Sequence, residues 1–296
     1  MEVSPATCVL DAKALIGESP CWDARSGVLY WVDIPARKIH RYDPVSGSDK
    51  AWLMSEEVGC VANCADNTLV IALRKGFFRF DPVRETLSPL FKTDAEPVTN
   101  RFNDGKTDRQ GRFWCGSTDE AEKAPTGALY CLDRGLHCRR LVDGIICSNA
   151  LCWSPDGRIM YFGDSSRQTV WAWNFEPGSG AIFNRRVFVS VPVEEGAPDG
   201  ATVDSEGYIW IAQWGGWRVV RYDPKGRIDR VLRLPVSQPA CPAFGGPDLN
   251  TLYIATAAIG LSAEAHAREP LAGGLFAVNI GVSGIAEVPF RYEDHR

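Results

Sequence analysis

The sequence predicts an all-β chain folded as a six-bladed β-propeller, and three observations carry that prediction. One unit recurs: a polar residue, a short apolar strand, a tight turn closing on glycine, and a second strand. It is fullest at Ala197-Pro198-Asp199-Gly200-Ala201-Thr202-Val203-Asp204-Ser205-Glu206-Gly207-Tyr208-Ile209-Trp210. It returns at Gly17-Glu18-Ser19-Pro20-Cys21-Trp22 running to Gly27, at Phe102-Asn103-Asp104-Gly105 running to Gly111, and at Ser148-Asn149-Ala150-Leu151-Cys152-Trp153 running to Gly157. Next, six runs rich in aromatic and β-branched residues (28–32, 68–72, 112–115, 159–162, 208–211 and 251–255) lie roughly 40 to 50 residues apart, the period of four-stranded blades. Finally, the best amphipathic helix pattern is the short segment 262–267.

Each run is the second strand of a blade. Third strands follow at 38–44, 77–82, 128–133, 170–173, 219–224 and 274–278, three of them ending in Asp-Pro. Proline presets its own φ and cannot donate to a continuing ladder, so Asp-Pro there is turn chemistry. Fourth strands are expected at segments such as 186–189 and 231–234. Residues 8–10 are expected to supply the outer strand of the last blade, so that the two chain ends close the ring. A propeller of this size is commonly one domain, and 1–296 reads as a single unit.

Composition narrows the partners. The net charge of −5 comes without a basic stripe, which disfavours nucleic acid and leaves a small neutral or mildly anionic ligand. No apolar run is long enough to span a bilayer, and residues 1–7 lack the basic start and apolar core of a signal peptide. A cytoplasmic protein, away from membranes, is the expectation. The ten cysteines are scattered singly, several inside apolar strand patterns, and read as buried reduced thiols. Cys60 and Cys64 lack a second Cys/His pair nearby, which disfavours a zinc knuckle.

Register carries the chemistry. Asn103, Asn149 and Asp199 each lie eight residues before their turn glycine, and Glu18 lies nine before. First strands line a propeller's channel, so these four side chains are expected to ring one mouth. Carboxylates crowded there repel one another and are costly to desolvate. A divalent cation resolves both problems. Oxygen donors favour calcium, magnesium or manganese, while zinc and ferrous iron also accept carboxylates. With few protein ligands, positions remain for water and substrate.

Plainer roles compete at each position. Asn149 taken alone is read equally as a ligand or as capping its own backbone, and its register with Asp199 favours the ligand. Glu18 has the lesser alternative of a rim glutamate, and Asn103-Asp104-Gly105 is also a turn sequence. Pro155-Asp156-Gly157 runs straight into a strand and is only a turn. Asp199 differs, because its blade already turns at Asp204 to Gly207. His40, His137, His266 and His295 fall outside the four positions and are expected to be structural or superficial. There is no Gly-x-Ser-x-Gly elbow and no nucleotide-binding glycine loop, which disfavours a covalent hydrolase and a dehydrogenase.

The chain resembles the senescence marker protein-30/gluconolactonase/luciferin-regenerating family. The matching pieces are Gly17-Glu18-Ser19-Pro20, Trp31-Val32-Asp33-Ile34, Asn100-Arg101-Phe102-Asn103-Asp104-Gly105-Lys106, Ser148-Asn149-Ala150-Leu151-Cys152-Trp153-Ser154, Pro198-Asp199-Gly200 and Phe244-Gly245-Gly246, in order along nearly the whole chain. The resemblance implies one divalent metal bound by Glu18, Asn149 and Asp199, and hydrolysis of a sugar lactone. It implies that Arg101 and Asn103 hold the substrate, helped by an acidic residue for which Asp119 and Glu120 compete, Glu120 being preferred. The chain departs from the family's commonest pattern at Asn149-Ala150, where a methyl is added beside a ligand, and at Gly116-Ser117-Thr118, expected to reshape the sugar pocket.

The leading expectation is a metal-dependent aldonolactone hydrolase in which Asp199 orients or deprotonates water, working as a monomer or weak homodimer. Trp214 and Trp217 are read equally as walls of the channel mouth or as aromatic packing. Organophosphate or aryl-ester hydrolysis on the same cation is an alternative, and a non-catalytic calcium-binding propeller is another.

Overall fold

The computed structural model describes residues 5–293, so Met1–Ser4 and the tail containing His295 lie outside the described residues. Six four-stranded antiparallel sheets form the blades of a β-propeller. Blade 1 is Gly17–Asp23, Val28–Asp33, Lys38–Asp43 and Ser48–Leu53, and blade 2 is Cys60–Asn63, Leu69–Leu73, Gly76–Asp81 and Thr86–Lys92. Blade 3 is Asn100–Thr107, Phe113–Asp119, Gly127–Leu132 and Cys138–Ile145, and blade 4 is Ser148–Trp153, Ile159–Asp164, Thr169–Glu176 and Ala181–Ser190. Blade 5 is Ala197–Val203, Ile209–Trp214, Arg218–Tyr222 and Ile228–Arg233. Blade 6 is Pro239–Gly245, Thr251–Thr256 and Leu275–Asn279, completed by Thr7–Leu10 from the other end of the chain. The six aromatic-rich runs are all second strands, and the amino-terminal strand closes the ring as expected.

Inner and second strands are buried on both faces, which explains their continuous apolar runs, whereas outer strands alternate or are exposed. The core lies between neighbouring blades, with Trp31, Trp114, Trp153 and Trp210 among its largest fully buried side chains. The turn aspartates do more than close turns. Asp108 Oδ2 accepts from Trp114 Nε1 at 2.8 Å, and Asp204 Oδ2 accepts from Trp210 Nε1 at 2.9 Å. Each also pairs with a buried guanidinium, Arg112 or Arg221. The aspartates of the Asp-Pro turns accept backbone N–H groups two residues on, as at Asp43, Asp81 and Asp223.

The helix read at 262–267 is Ala263–Arg268, with Ser262 as its side-chain N-cap. Among the described residues no helix is long and apolar enough to cross a membrane. All ten cysteines are free, and eight of them are buried. His40 lies inside, against Trp31 and hydrogen-bonded to Asp49 at 2.6 Å.

The carboxyl-terminal segment crosses one end of the propeller. Asp204 bridges Gly284, Cys64 bridges Phe290, and between them Glu287 approaches Lys106 and Arg109 at 3.9 Å each. Glu287 and Lys106 line a cavity of about 20 Å³ beside Ser19, Asp104 and Cys241. Glu18 and Asn103, immediately before Ser19 and Asp104 on the inner strands, line a larger cavity on the other side.

Candidate active site

That larger cavity has a volume of about 330 Å³, and Glu18, Asn103, Asn149 and Asp199 all line it. A shared backbone device delivers them. The register of the inner strand slips between Glu18 and Cys21, between Phe102 and Gly105, between Asn149 and Cys152, and between Pro198 and Ala201. A bulge bends its strand and re-aims a side chain, here at the same level of four blades. Blade 2 pairs its inner strand in unbroken register, from Cys60↔Ala72 to Asn63↔Leu69, and blade 6 slips between Pro239 and Cys241; neither inner strand lines the cavity.

A hydrogen-bond chain holds three of the blades together. Arg101 Nη1 donates to Asn103 Oδ1 at 2.6 Å, and Asn103 Nδ2 donates to Ser148 O at 2.8 Å and to Asn149 Oδ1 at 3.3 Å. Asn149 Nδ2 then donates to Ser165 Oγ at 2.8 Å, and Ser165 Oγ donates to Pro198 O at 2.6 Å. The chain ends beside Asp199. Below it, Asp104 Oδ2 accepts from Leu151 N at 2.8 Å, tying blade 3 to blade 4. Each amide is therefore oriented by a partner rather than left to rotate.

The electrostatics are strained. Burial, with the Asp104 carboxylate behind it, pushes Glu18 up to about 8, against the opposing pull of the Ser19 N–H and of Arg101. Burial raises Asp199 well above the usual carboxylate range, and Glu18, Asp104 and Glu122 add to the shift. Two buried carboxylates that repel one another, flanked by two oriented amides, suit a hard divalent cation. Among the described residues no group of three or more His, Cys, Asp or Glu is placed to hold a metal. Glu18, Asn149 and Asp199 fit such an ion on this chemistry.

The remaining expected residues divide. Arg101 and Glu120 line the cavity. Asp119 does not: its buried carboxylate accepts from Lys123 N and Ala124 N and shapes the loop. Glu120 is gripped by Arg74, whose Nη1 and Nη2 donate to its two oxygens at 2.6 and 2.9 Å and hold the carboxyl below its usual range. Trp214 is a cavity wall, whereas Trp217 is 39% exposed and is not.

Two expectations about the departures are corrected. Ala150 adds more than a methyl, because it occupies the left-handed region at φ 55°, where glycine is favoured. Its methyl is accommodated opposite Gly163, where an added Cβ would lie 3.2 Å from it. Ser117 and Thr118 do not shape the pocket, since their hydroxyls bond to Ala128 and Ile146 backbone and neither lines the cavity. Cavity-lining residues that the sequence did not single out for the site are Ser165, Cys147, Glu122 and the apolar Ile16, Ile34 and Ile259. Ser165 follows the second strand of its blade, outside the inner-strand register that exposed the other four.

This geometry has known counterparts. A family model described as SMP-30/Gluconolactonase/LRE-like region matches residues 16–258. The chain belongs to this family. Among its relatives, regucalcin from Homo sapiens is 36% identical over 293 residues, covering 96% of this chain and 97% of the relative. The 6-deoxy-6-sulfogluconolactonase of Pseudomonas putida is 34% identical over 287 residues, covering 96% and 97%. The crystal structure of a calcium-binding protein, regucalcin, from Agrobacterium tumefaciens superposes with a TM-score of 0.93 at 29% identity, covering 98% of both chains. Membership in the SMP-30/gluconolactonase/LRE-like family thus rests on both sequence and fold.

Proposed function

We propose that this chain hydrolyses a sugar lactone to its aldonic acid at one divalent cation held by Glu18, Asn149 and Asp199. The observation that carries the reading is the convergence of two buried carboxylates and two oriented amides on a cavity whose wall also presents Arg101. Membership in a family containing named lactonases supports it.

When bound, the cation supplies Lewis acidity toward the lactone carbonyl and compensation for the charge that develops on its oxygen. The chain's own residues do the rest. Asp199 orients the attacking water and accepts its proton as the water oxygen bonds to the carbonyl carbon. The ring C–O bond breaks, and the proton passes to the departing ring oxygen, which leaves as a hydroxyl. Arg101 and Asn103 hold the lactone and sugar hydroxyls, and Glu120, fixed by Arg74, accepts from a further hydroxyl. Ile16, Ile34, Ile259 and Trp214 cover the carbon face of the sugar and exclude water. The oxygen-rich donor set favours calcium, magnesium or manganese over zinc and ferrous iron.

A non-catalytic calcium-binding propeller is the second reading, favoured by the calcium-binding description of the Agrobacterium structure. Acid release from a panel of aldonolactones, corrected for spontaneous opening, separates the two. Acceleration selective for one sugar supports the lactonase. Tight calcium binding with no acceleration of any lactone supports the binding propeller.

A further inference from the structure

The cavity wall is acidic beyond what a cation site needs. Glu18, Glu120, Glu122 and Asp199 line it, and Arg101 is the sole cationic side chain among the described lining residues. One nitrogen of Arg101, Nη1, is taken by Asn103 Oδ1 and Phe102 O. The next guanidinium at the rim, Arg74, is bound by Glu57 at 2.5 Å as well as by both oxygens of Glu120, so two carboxylates cancel its single charge. Glu122 has no ion-pair partner among the described residues and faces the cavity from the loop that Asp119 pins. A bound divalent cation still leaves the lining carboxylates in excess over Arg101 and the ion together.

We infer that this cavity is a charge filter: it admits lactones bearing no negative charge and discriminates against those carrying a sulfonate, phosphate or second carboxylate. The inference rests on the lactonase reading above and names its substrate class. The same field serves turnover. Ester hydrolysis converts a neutral lactone to a carboxylate and releases a proton, so the product acquires the charge the wall repels. Acidic walls in a low-dielectric cleft focus that repulsion and lower product affinity.

The test compares kcat/KM for gluconolactone with that for its 6-sulfo and 6-phospho counterparts, in the wild type, Glu122→Gln and Glu122→Lys, at low and high ionic strength. The neutral lactone should win by about tenfold or more in the wild type, the effect of one like charge facing another across a few ångströms of partly screened space. The anionic-to-neutral ratio should rise stepwise from wild type to Gln to Lys, and high salt should narrow the wild-type gap. An anionic lactone turned over as well as the neutral one, or a ratio unmoved by both substitutions, overturns the filter and leaves the lactonase reading standing. No acceleration of these three lactones, nor of any neutral lactone of the aldonolactone panel, overturns that reading and the filter with it.

Discussion

Ser165 stands between two of the proposed cation ligands. Its hydroxyl accepts from Asn149 Nδ2 at 2.8 Å and donates to Pro198 O at 2.6 Å, one residue before Asp199. Removing it leaves the Asn149 amide without its anchor and loosens the backbone that presents Asp199. Ser165→Ala should therefore weaken cation affinity by about 10- to 100-fold, the usual cost of losing an outer partner of a ligand. Calorimetric titration checks this, and an unchanged affinity would show that the hydroxyl orients nothing.

Arg101 contributes a fork as well as a charge. Arg101 Nη1 alone reaches Asn103 Oδ1 and Phe102 O, so the other N–H groups of the plane are the ones offered to substrate. Arg101→Lys keeps the charge but not that planar donor set. The substitution should raise KM for the preferred lactone by about 10-fold or more with a smaller change in kcat, since it removes uniform binding. Steady-state kinetics on the lysine and alanine variants read the split.

The pH dependence follows from Glu18. Its folded-state value is raised to about 8 from an ordinary 4.5, so the cation-free folded protein holds a proton there that the unfolded chain has lost. That contribution to stability is fully present below about pH 4.5 and declines as pH rises toward about 8, by a few kcal/mol at most. Thermal midpoints in chelator should fall across that window. Saturating cation, which binds the ionised carboxylates, should flatten or reverse the trend.

Asp204 tests the scaffold apart from the site. It holds Trp210 Nε1 and is one of three carboxylates around the buried Arg221 guanidinium, so Asp204→Ala strands the indole N–H and leaves Arg221 to Glu206 and Asp229. A loss of about 1–3 kcal/mol is expected from leaving the buried indole donor unsatisfied. Denaturant unfolding measures it, and the same variant with Arg221→Ala added should lose less than the sum of the two single changes.

Much of this was legible in the sequence because a repeat converts spacing into position. Asn103, Asn149 and Asp199 share one offset from their turn glycines, and equal offsets in a ring put side chains at equal heights. Glu18 sits one residue further from Gly27, yet lines the same cavity. Periodicity also located the second strands, because strands covered on both faces must be apolar throughout. What stayed hidden comes from elements without a register. Ser165 lies in a 3₁₀ turn after a second strand, Glu122 in a loop, and Arg74 in the hairpin joining Leu69–Leu73 to Gly76–Asp81. Trp214 and Trp217 looked alike in sequence, but Trp214 ends a strand at the cavity and Trp217 lies in the turn that follows. The left-handed backbone of Ala150 was not legible from the residue itself, since alanine does not announce a positive φ as glycine does.

The cation-dependent lactonase is tested most directly by measuring acid release from its preferred aldonolactone with metal-stripped wild type and metal-stripped Asp199→Ala, before and after adding back calcium, magnesium, manganese, zinc or ferrous iron, one at a time. The wild type should be inert when stripped and recover with one or a few of these ions, while Asp199→Ala should stay inert with every one. Full activity in the stripped wild type, or recovery of the Asp199→Ala protein, would contradict the assignment of Glu18, Asn149 and Asp199 to a catalytic cation.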